Sequence, residues 1–201
     1  SYFFPPANFV GGDRIYSWAK HLNKFGYFPV VITRTWNKGQ KEITDQVENN
    51  VFSHEMYDTY EVFRIPHDRS LRDKLNDYRN SKVLSVVRKA LSYIELIASN
   101  FSLRFTPYYS IYKFALQHIR DNNTSYTCMI ASGRPFQLFY VADRIFKQTG
   151  LVWIADYRDE WNTFQNKQHR NFLLKLVGVL ESNSERKWTS SCSDRKSTRL
   201  N

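Results

Sequence analysis

The densest chemistry in the sequence is Asp156-Tyr157-Arg158-Asp159-Glu160-Trp161, which follows directly on the apolar run Leu151 to Ala155. Charged side chains beside a buried strand need partners, because an unpaired ion in apolar surroundings is strongly disfavoured. One reading is structural, an Asp–Arg pair that closes a corner. The other is functional and is preferred, because strand ends of this kind host sites. In it, the carboxylates of Asp156, Asp159 and Glu160 accept hydrogen bonds from sugar hydroxyls. Arg158 holds a phosphate or orients a carboxylate, and Trp161 supplies a stacking face.

Two further segments have similar potential. Gly11-Gly12 precede a helical pattern, and backbone N–H groups exposed at a helix start suit a phosphate or a closely approaching sugar hydroxyl. The plain alternative is a tight turn that needs positive φ, and Asp13 counts against a pure phosphate site. Ser132-Gly133-Arg134-Pro135 turn the chain from a strand into a helix and can aim Ser132 and free amides at a ligand; a simple connection is the alternative. The glycines do not form the dinucleotide G-x-G-x-x-G pattern, which disfavours a nicotinamide enzyme. His21, His54, His67, His118 and His169 are scattered, and none stands with Cys or Asp at ligand spacing. No metal and no cofactor are expected, and no Ser–His–Asp arrangement stands out.

The elements that must position these residues alternate between strand-like and helix-like patterns, which predicts an α/β domain with a parallel sheet and helices on both faces. Asp13 is placed as the N-cap of a first helix whose apolar stripe is Ile15, Trp18, Ala19, Leu22 and Phe25, with Gly26 as its stop. Phe28 to Thr33 follows as a strand. Residues 36–59 read as a long loop or short hairpin, and Tyr60 to Ile65 as a strand. Residues 68–105 read as a basic and helical insertion. Arg69, Arg72, Lys74, Arg79, Lys82, Arg88 and Lys89 lie in it, and Val83, Val86, Val87, Leu91, Ile94 and Ile97 are expected on one face. A helix after Pro107, a strand from Tyr126 to Ala131, a helix opened by Pro135 and stopped by Gly150, the strand Leu151 to Ala155 and a last helix from Phe172 toward Trp188 complete the order. In open α/β sheets ligands sit at the carboxyl ends of strands, so the three unusual segments are expected to converge there.

The chain of 201 residues carries a formal net charge of +10, which favours contact with anions. Nucleic-acid binding on an aromatic stacking platform is the rival class. Most aromatics fall at core-facing periods, so no nucleic-acid partner is expected; peripheral contact with an acidic membrane is. Cys128 and Cys192 do not make a disulfide framework, and Cys128, inside an apolar run, reads as a buried structural thiol in a reducing compartment. No stretch is long and apolar enough to span a bilayer. Tyr2-Phe3-Phe4-Pro5-Pro6 read as the end of a buried strand running into a loop, so truncation at the start is expected. Residues 194–201 match, in one frame, the translation of a short-read sequencing adapter (GAT CGG AAG AGC ACA CGT CTG AAC) and are expected to be non-native. A single native domain over 1–193 is left.

Phe4-Pro5-Pro6, then Gly11-Gly12, a helix and the strand Val30-Val31-Ile32-Thr33 resemble the start of family 4 retaining glycosyltransferases. The resemblance strengthens at Ala131-Ser132-Gly133-Arg134-Pro135-Phe136. It is strongest at Trp153-Ile154-Ala155-Asp156-Tyr157-Arg158-Asp159-Glu160-Trp161, which is similar to a bacterial subgroup with an S-G-P-P-F-like turn and an A-D-x-R-D-x-W strand end. Arg134 stands where that subgroup often has Pro. The resemblance implies the N-terminal, acceptor-side half of a GT-B architecture of two Rossmann-like domains. The nucleotide-sugar donor would be held by a C-terminal domain with a pair of glutamates, and a glycan or lipid-linked acceptor by this half. It also implies retention of anomeric configuration without a metal ion, a role in bacterial cell-envelope polysaccharide synthesis, and a cytoplasmic protein at the inner face of the membrane. By position, Gly12 would approach the donor phosphate or transferred sugar, with Asp156 and Arg158 near the reaction centre, where many relatives have a His that is absent here. Asp156, Arg158 and Asp159 are the catalytic candidates; Gly11, Gly12, Ser132, Gly133, Arg134 and Trp161 are the substrate-binding ones. By itself such a half is expected to be inactive. A non-catalytic binding module of the same fold and a basic nucleic-acid-binding domain are the alternatives.

Overall fold

Hydrophobic side chains alternate along the strands near the start of the chain and thereby sort themselves onto two faces. The structure, a computed structural model, describes residues 1–40, 47–67, 101–122, 126–133, 135–157 and 172–192, with scattered helical positions between 84 and 98. In chain order the main elements are α1 (Val10–His21), β1 (Val30–Arg34), β2 (Ser53–Met56), β3 (Glu61–Ile65), α2 (Tyr109–Asp121), β4 (Met129–Gly133), α3 (Gln137–Thr149), β5 (Trp153–Tyr157) and α4 (Phe172–Thr189). The protein is thus mixed α/β. Among the described residues the strands form two small sheets, one of three strands in the order β1-β3-β2 and one of two, β4-β5. β1 pairs with β3 and β4 with β5 in parallel, whereas β2 joins β3 antiparallel. The segment read as a loop or hairpin therefore contains a strand of a β2–β3 hairpin.

In the first sheet, Val31 and Val62 are register partners and pack with Phe4, Ile15, Ala19 and Tyr60 beneath α1. Ile32 and Phe63, the next pair, face the opposite way into a larger core shared with α2, α3 and β4–β5. Helices thus cover both faces of this sheet. The segment Tyr2-Phe3-Phe4 carries no assigned strand, yet it runs beside β1. Thr33 Oγ1 and Trp36 Nε1 both donate to the Tyr2 carbonyl, at 2.9 and 3.0 Å. Tyr2 and Phe3 enter the larger core and Phe4 the smaller one.

Several local expectations are corrected. Helix α1 begins at Val10 with Phe9 at the N-cap, so Asp13 lies in the first turn rather than capping it. There its carboxylate still opposes the positive helix end. Gly11 and Gly12 are helical and need no positive φ, which among the described residues is confined to Gly26, Gly39 and Gly150. Gly26 does stop the helix, but after an intervening 3-10 turn, Leu22–Phe25, that swings Phe25 out to 75% exposure. Cys128 is exposed, because β4 starts only at Met129 and the thiol precedes the buried register. Pro135 precedes α3 by two positions instead of opening it, although its carbonyl accepts from Leu138 N. Of the residues expected on one face of the insertion, Val87 and Ile94 are helical but 42% and 62% exposed, whereas Leu91 and Ile97 are half-buried. The basic residues named in this stretch, with Val83 and Val86, and residues 194–201 lie outside the described residues.

Gly12 sits where α1 crosses the first segment. A Cβ there would come within 3.3 Å of the Phe4 N and Cα. Gly12→Ala gains up to about 1 kcal/mol of helix propensity, but the obstruction is backbone and cannot rotate away, and overpacking costs about 1–3 kcal/mol. A net loss of stability, read as a lower midpoint in urea, is expected. His118 yields a second test. Its ring lies on Phe114 and Phe63 and against the Tyr126 hydroxyl at 2.6 Å, and burial holds its pKa below the usual 6.5. In the window below about 6.5 the unfolded chain therefore binds more protons, so stability falls as pH drops toward the lower folded value. His118→Gln should flatten that slope in melting temperatures taken between pH 7 and 5.

Candidate functional site

In a parallel ladder, register partners point to the same side, and Ser132 of β4 is the partner of Asp156 of β5. Ser132 Oγ donates to Asp156 Oδ2 at 2.8 Å. The other carboxylate oxygen, Oδ1, accepts from Arg14 Nη1 at 2.8 Å. Arg14 comes from α1, so the helix opened by Gly11-Gly12 and the ends of β4 and β5 meet at one carboxylate. The meeting is graded in exposure: Ser132 is buried, the Asp156 side chain is 10% exposed and that of Arg14 45%. This gives a carboxylate of fixed orientation, backed by a buried hydroxyl and fronted by a guanidinium that reaches solvent. A carboxylate of this kind can accept from a ligand hydroxyl, and the exposed guanidinium can meet a phosphate or a carboxylate.

Among the residues chosen from sequence, Ser132 and Asp156 bond directly, with Gly133 next in the same strand. Asp156 lies inside the last turn of the strand pattern rather than beyond it, because β5 extends to Tyr157. Gly11 and Gly12 are buried, and the Gly12 amide donates to Phe9 O at 2.7 Å, so that amide is committed to the helix start. At Gly133 a Cβ would lie 2.7 Å from the Phe136 ring, which gives this glycine a packing role as well. Arg134, Arg158, Asp159 and Trp161 lie outside the described residues. Tyr157, the register partner of Gly133, turns to the opposite face, where its ring packs on Phe136 and Phe139. Burial, with the charge of Glu185 adding to it, pushes its phenol up to about 12, so it stays protonated.

Arg14 is the member that sequence reasoning missed. A signal was present: a cation near the positive end of a helix is disfavoured by the helix dipole unless it has a specific partner. Among the described residues, no group of three or more His, Cys, Asp or Glu side chains is disposed to hold a metal ion, and no helix is long and apolar enough to cross a membrane. No family model, curated protein or solved structure matches the chain.

The two arms of the contact should differ in weight. Asp156→Ala leaves the Ser132 hydroxyl buried without its acceptor, a loss of about 1–3 kcal/mol. Arg14→Ala removes a partly exposed ion pair worth less than about 1 kcal/mol. Urea denaturation of the two variants is expected to rank Asp156→Ala clearly below Arg14→Ala; the reverse order would show that the Ser132 bond contributes little.

Proposed function

We propose that the chain is the acceptor-side, Rossmann-like domain of a nucleotide-sugar glycosyltransferase of GT-B type, related to the retaining family 4 enzymes. The observation that carries this reading is the Arg14–Asp156–Ser132 contact, which joins the Gly11-Gly12 helix to the carboxyl ends of two parallel strands. Ligands of open α/β sheets bind at such ends. Helices on both faces of the first sheet and two parallel strand pairs support the Rossmann-like class.

In this reading the Asp156 carboxylate accepts a hydrogen bond from an acceptor hydroxyl and fixes its approach, a positioning role. Ser132 holds the carboxylate in that orientation. Arg14 turns its cation toward the diphosphate that departs from the donor sugar, where charge develops during transfer. Arg158, Asp159, Trp161 and Arg134 complete the site as candidates from sequence. Gly11 and Gly12 act through the close seating of α1. The nucleotide-sugar itself is held by a second domain, the acceptor is a glycan or lipid-linked sugar, and the reaction takes place in the cytoplasm at the inner face of the membrane. The net charge of +10, which is still +8 without Asp194, Arg195, Lys196 and Arg199, supports contact with such an acidic surface.

The test is to read the gene past the codon for Ser193 and to assay the protein it encodes with nucleotide-sugar donors. A frame that continues into a second Rossmann-like domain with a spaced pair of glutamates, and a product that turns over a donor, are expected. In that product Asp156→Ala should lower kcat/KM by about tenfold or more, equivalent to at least about 1.4 kcal/mol of transition-state stabilisation. A stop codon within a few residues, or turnover unaffected by Asp156→Ala, overturns the reading. The stop codon would leave a non-catalytic binding module in its place.

A further inference from the structure

Away from Asp156, a cleft of about 490 Å³ opens on the face of the β1-β3-β2 sheet that α1 covers. Ligand cavities span roughly 300–1,000 Å³, so it is large enough for a small organic molecule. Its walls are aromatic. Tyr57 and Tyr60 stack at 4.6 Å with their planes 20° apart, Tyr16 of α1 meets Tyr60 edge-on at 6.3 Å, and Trp36 adds a further ring. Tyr60 and Trp36 are buried, whereas Tyr57 is 43% exposed and leaves ring surface open to the cleft.

Between the rings lies a polar fork. Arg64 Nε donates to Glu55 Oε1 at 2.8 Å, Arg64 Nη2 donates to Oε2 at 3.3 Å, and the Tyr57 hydroxyl donates to Oε2 at 2.6 Å. The Arg64 hydrogen bond holds the Glu55 carboxyl below its usual range, and the bond to Glu55 pushes the Tyr57 phenol up to about 12. Glu55 is thus ionised and Tyr57 protonated at neutral pH, and the fork is set in one hydrogen-bonding state.

The charges select the ligand class. One carboxylate faces one guanidinium at hydrogen-bond distance, so the fork is neutral as a pair. A phosphate meets a cation already matched to Glu55, and a quaternary ammonium meets a carboxylate already matched to Arg64. A wholly apolar ligand would strip water from the fork and return no hydrogen bonds. A neutral sugar meets both demands, since its C–H face lies on aromatic rings and its hydroxyls both donate and accept.

We propose that this cleft is a saccharide-binding subsite in which a neutral sugar ring lies on Tyr57 and hydrogen-bonds to the Glu55–Arg64 pair. It is distinct from the Asp156 site. Arg14 and Tyr16 are two positions apart on α1, roughly 200° around its axis, so the helix stands between the two sites. The subsite extends the glycosyltransferase reading, and rests on it only for naming the bound sugar as part of the acceptor.

The test is to titrate the whole chain with maltose, cellobiose and chitobiose by ligand-observed NMR, with inorganic phosphate and choline as parallel probes. At least one disaccharide is expected to bind saturably. Tyr57→Ala should weaken it by about tenfold, the scale of one lost ring contact. Tyr57→Phe keeps the ring and should bind far more tightly than Tyr57→Ala. Glu55→Gln changes a partly exposed carboxylate without removing a ring, and should also weaken binding, so the test survives a misfolded Tyr57→Ala. Arg120→Ala, at an exposed position of α2 that lines neither site, should leave binding unchanged. Absence of disaccharide binding, binding of phosphate or choline in its stead, or affinity unchanged from the wild type in both Tyr57→Ala and Glu55→Gln overturns the proposal. Loss of binding in Asp156→Asn with no effect at Tyr57 overturns the subsite while the glycosyltransferase reading stands. Binding that depends on Tyr57, in a protein whose gene stops soon after Ser193, supports the subsite and removes the glycosyltransferase reading.

Discussion

The structure depends on how Tyr2-Phe3-Phe4 is seated. This segment has no assigned strand, yet the Tyr2 carbonyl accepts from both Thr33 and Trp36. Its hydroxyl accepts from Arg34 Nη1 at 2.7 Å, inside a shell where the Arg34 guanidinium lies 3.9 Å from the Trp36 ring centre. With the backbone fixed in this way, Phe3 and Phe4 fall on opposite sides and divide the apolar residues into two cores. The seat of α1 follows, because Gly12 rests on the Phe4 backbone. From that helix Arg14 reaches one way to Asp156 and Tyr16 the other way to the aromatic cleft. Both sites are therefore set by one short extended segment, and by the lack of a side chain at Gly12.

The strand that carries Asp156 is fixed from its other face as well. Asp143 of α3 is buried, and a carboxylate there is tolerable only with partners. It accepts from Ser191 Oγ at 2.7 Å and from Lys147 Nζ at 2.7 Å, while Ser191 in turn accepts from Trp153 Nε1 at 3.1 Å. Trp153 is the first residue of β5 and is fully buried. Nearby, Trp188 of α4 stacks on Tyr140 at 4.9 Å, with the two ring planes almost parallel. The polar chain from α3 through Ser191 to β5 and the ring stack between α3 and α4 thus hold the base of the strand. Its far end is free to present a carboxylate.

Local signals carried much of this into the sequence. The αL stops at Gly26 and Gly150 were legible because only glycine adopts positive φ freely, and the β-branched and apolar runs marked β1, β3 and β5. What was hidden depended on tertiary context. Phe9 rather than Asp13 opens α1, and its first turn rests at Gly12 on the Phe4 backbone, a contact that no local pattern announces. Cys128 sits in an apolar run, but the strand begins one residue later. β2 has a mixed sequence, Ser53-His54-Glu55-Met56, whose polar residues are explained only by the partners they meet across the ladder: Glu55 by Arg64, and His54 by Glu61 at 2.6 Å and the Phe63 ring at 4.4 Å. At the candidate site, sequence placed the Ser132 and Asp156 segments at one sheet edge, whereas the bond between them needed the β4–β5 register and Arg14 the orientation of a helix that no local pattern fixes.

The Arg14–Asp156 contact spans 142 positions of the chain. Contacts of such separation form late, because the intervening chain must first be ordered. On a ribosome that adds about 5–20 residues per second, Arg14 is added roughly 7–28 seconds before the carboxylate it meets. In that interval the ends of β4 and β5 do not yet exist to receive the helix. The residues that line the aromatic cleft all lie before position 65 and are synthesised well ahead of Asp156, but Trp36 among them packs in a core that also takes in Phe139, Trp153 and Trp188, so the cleft too is completed by chain made later.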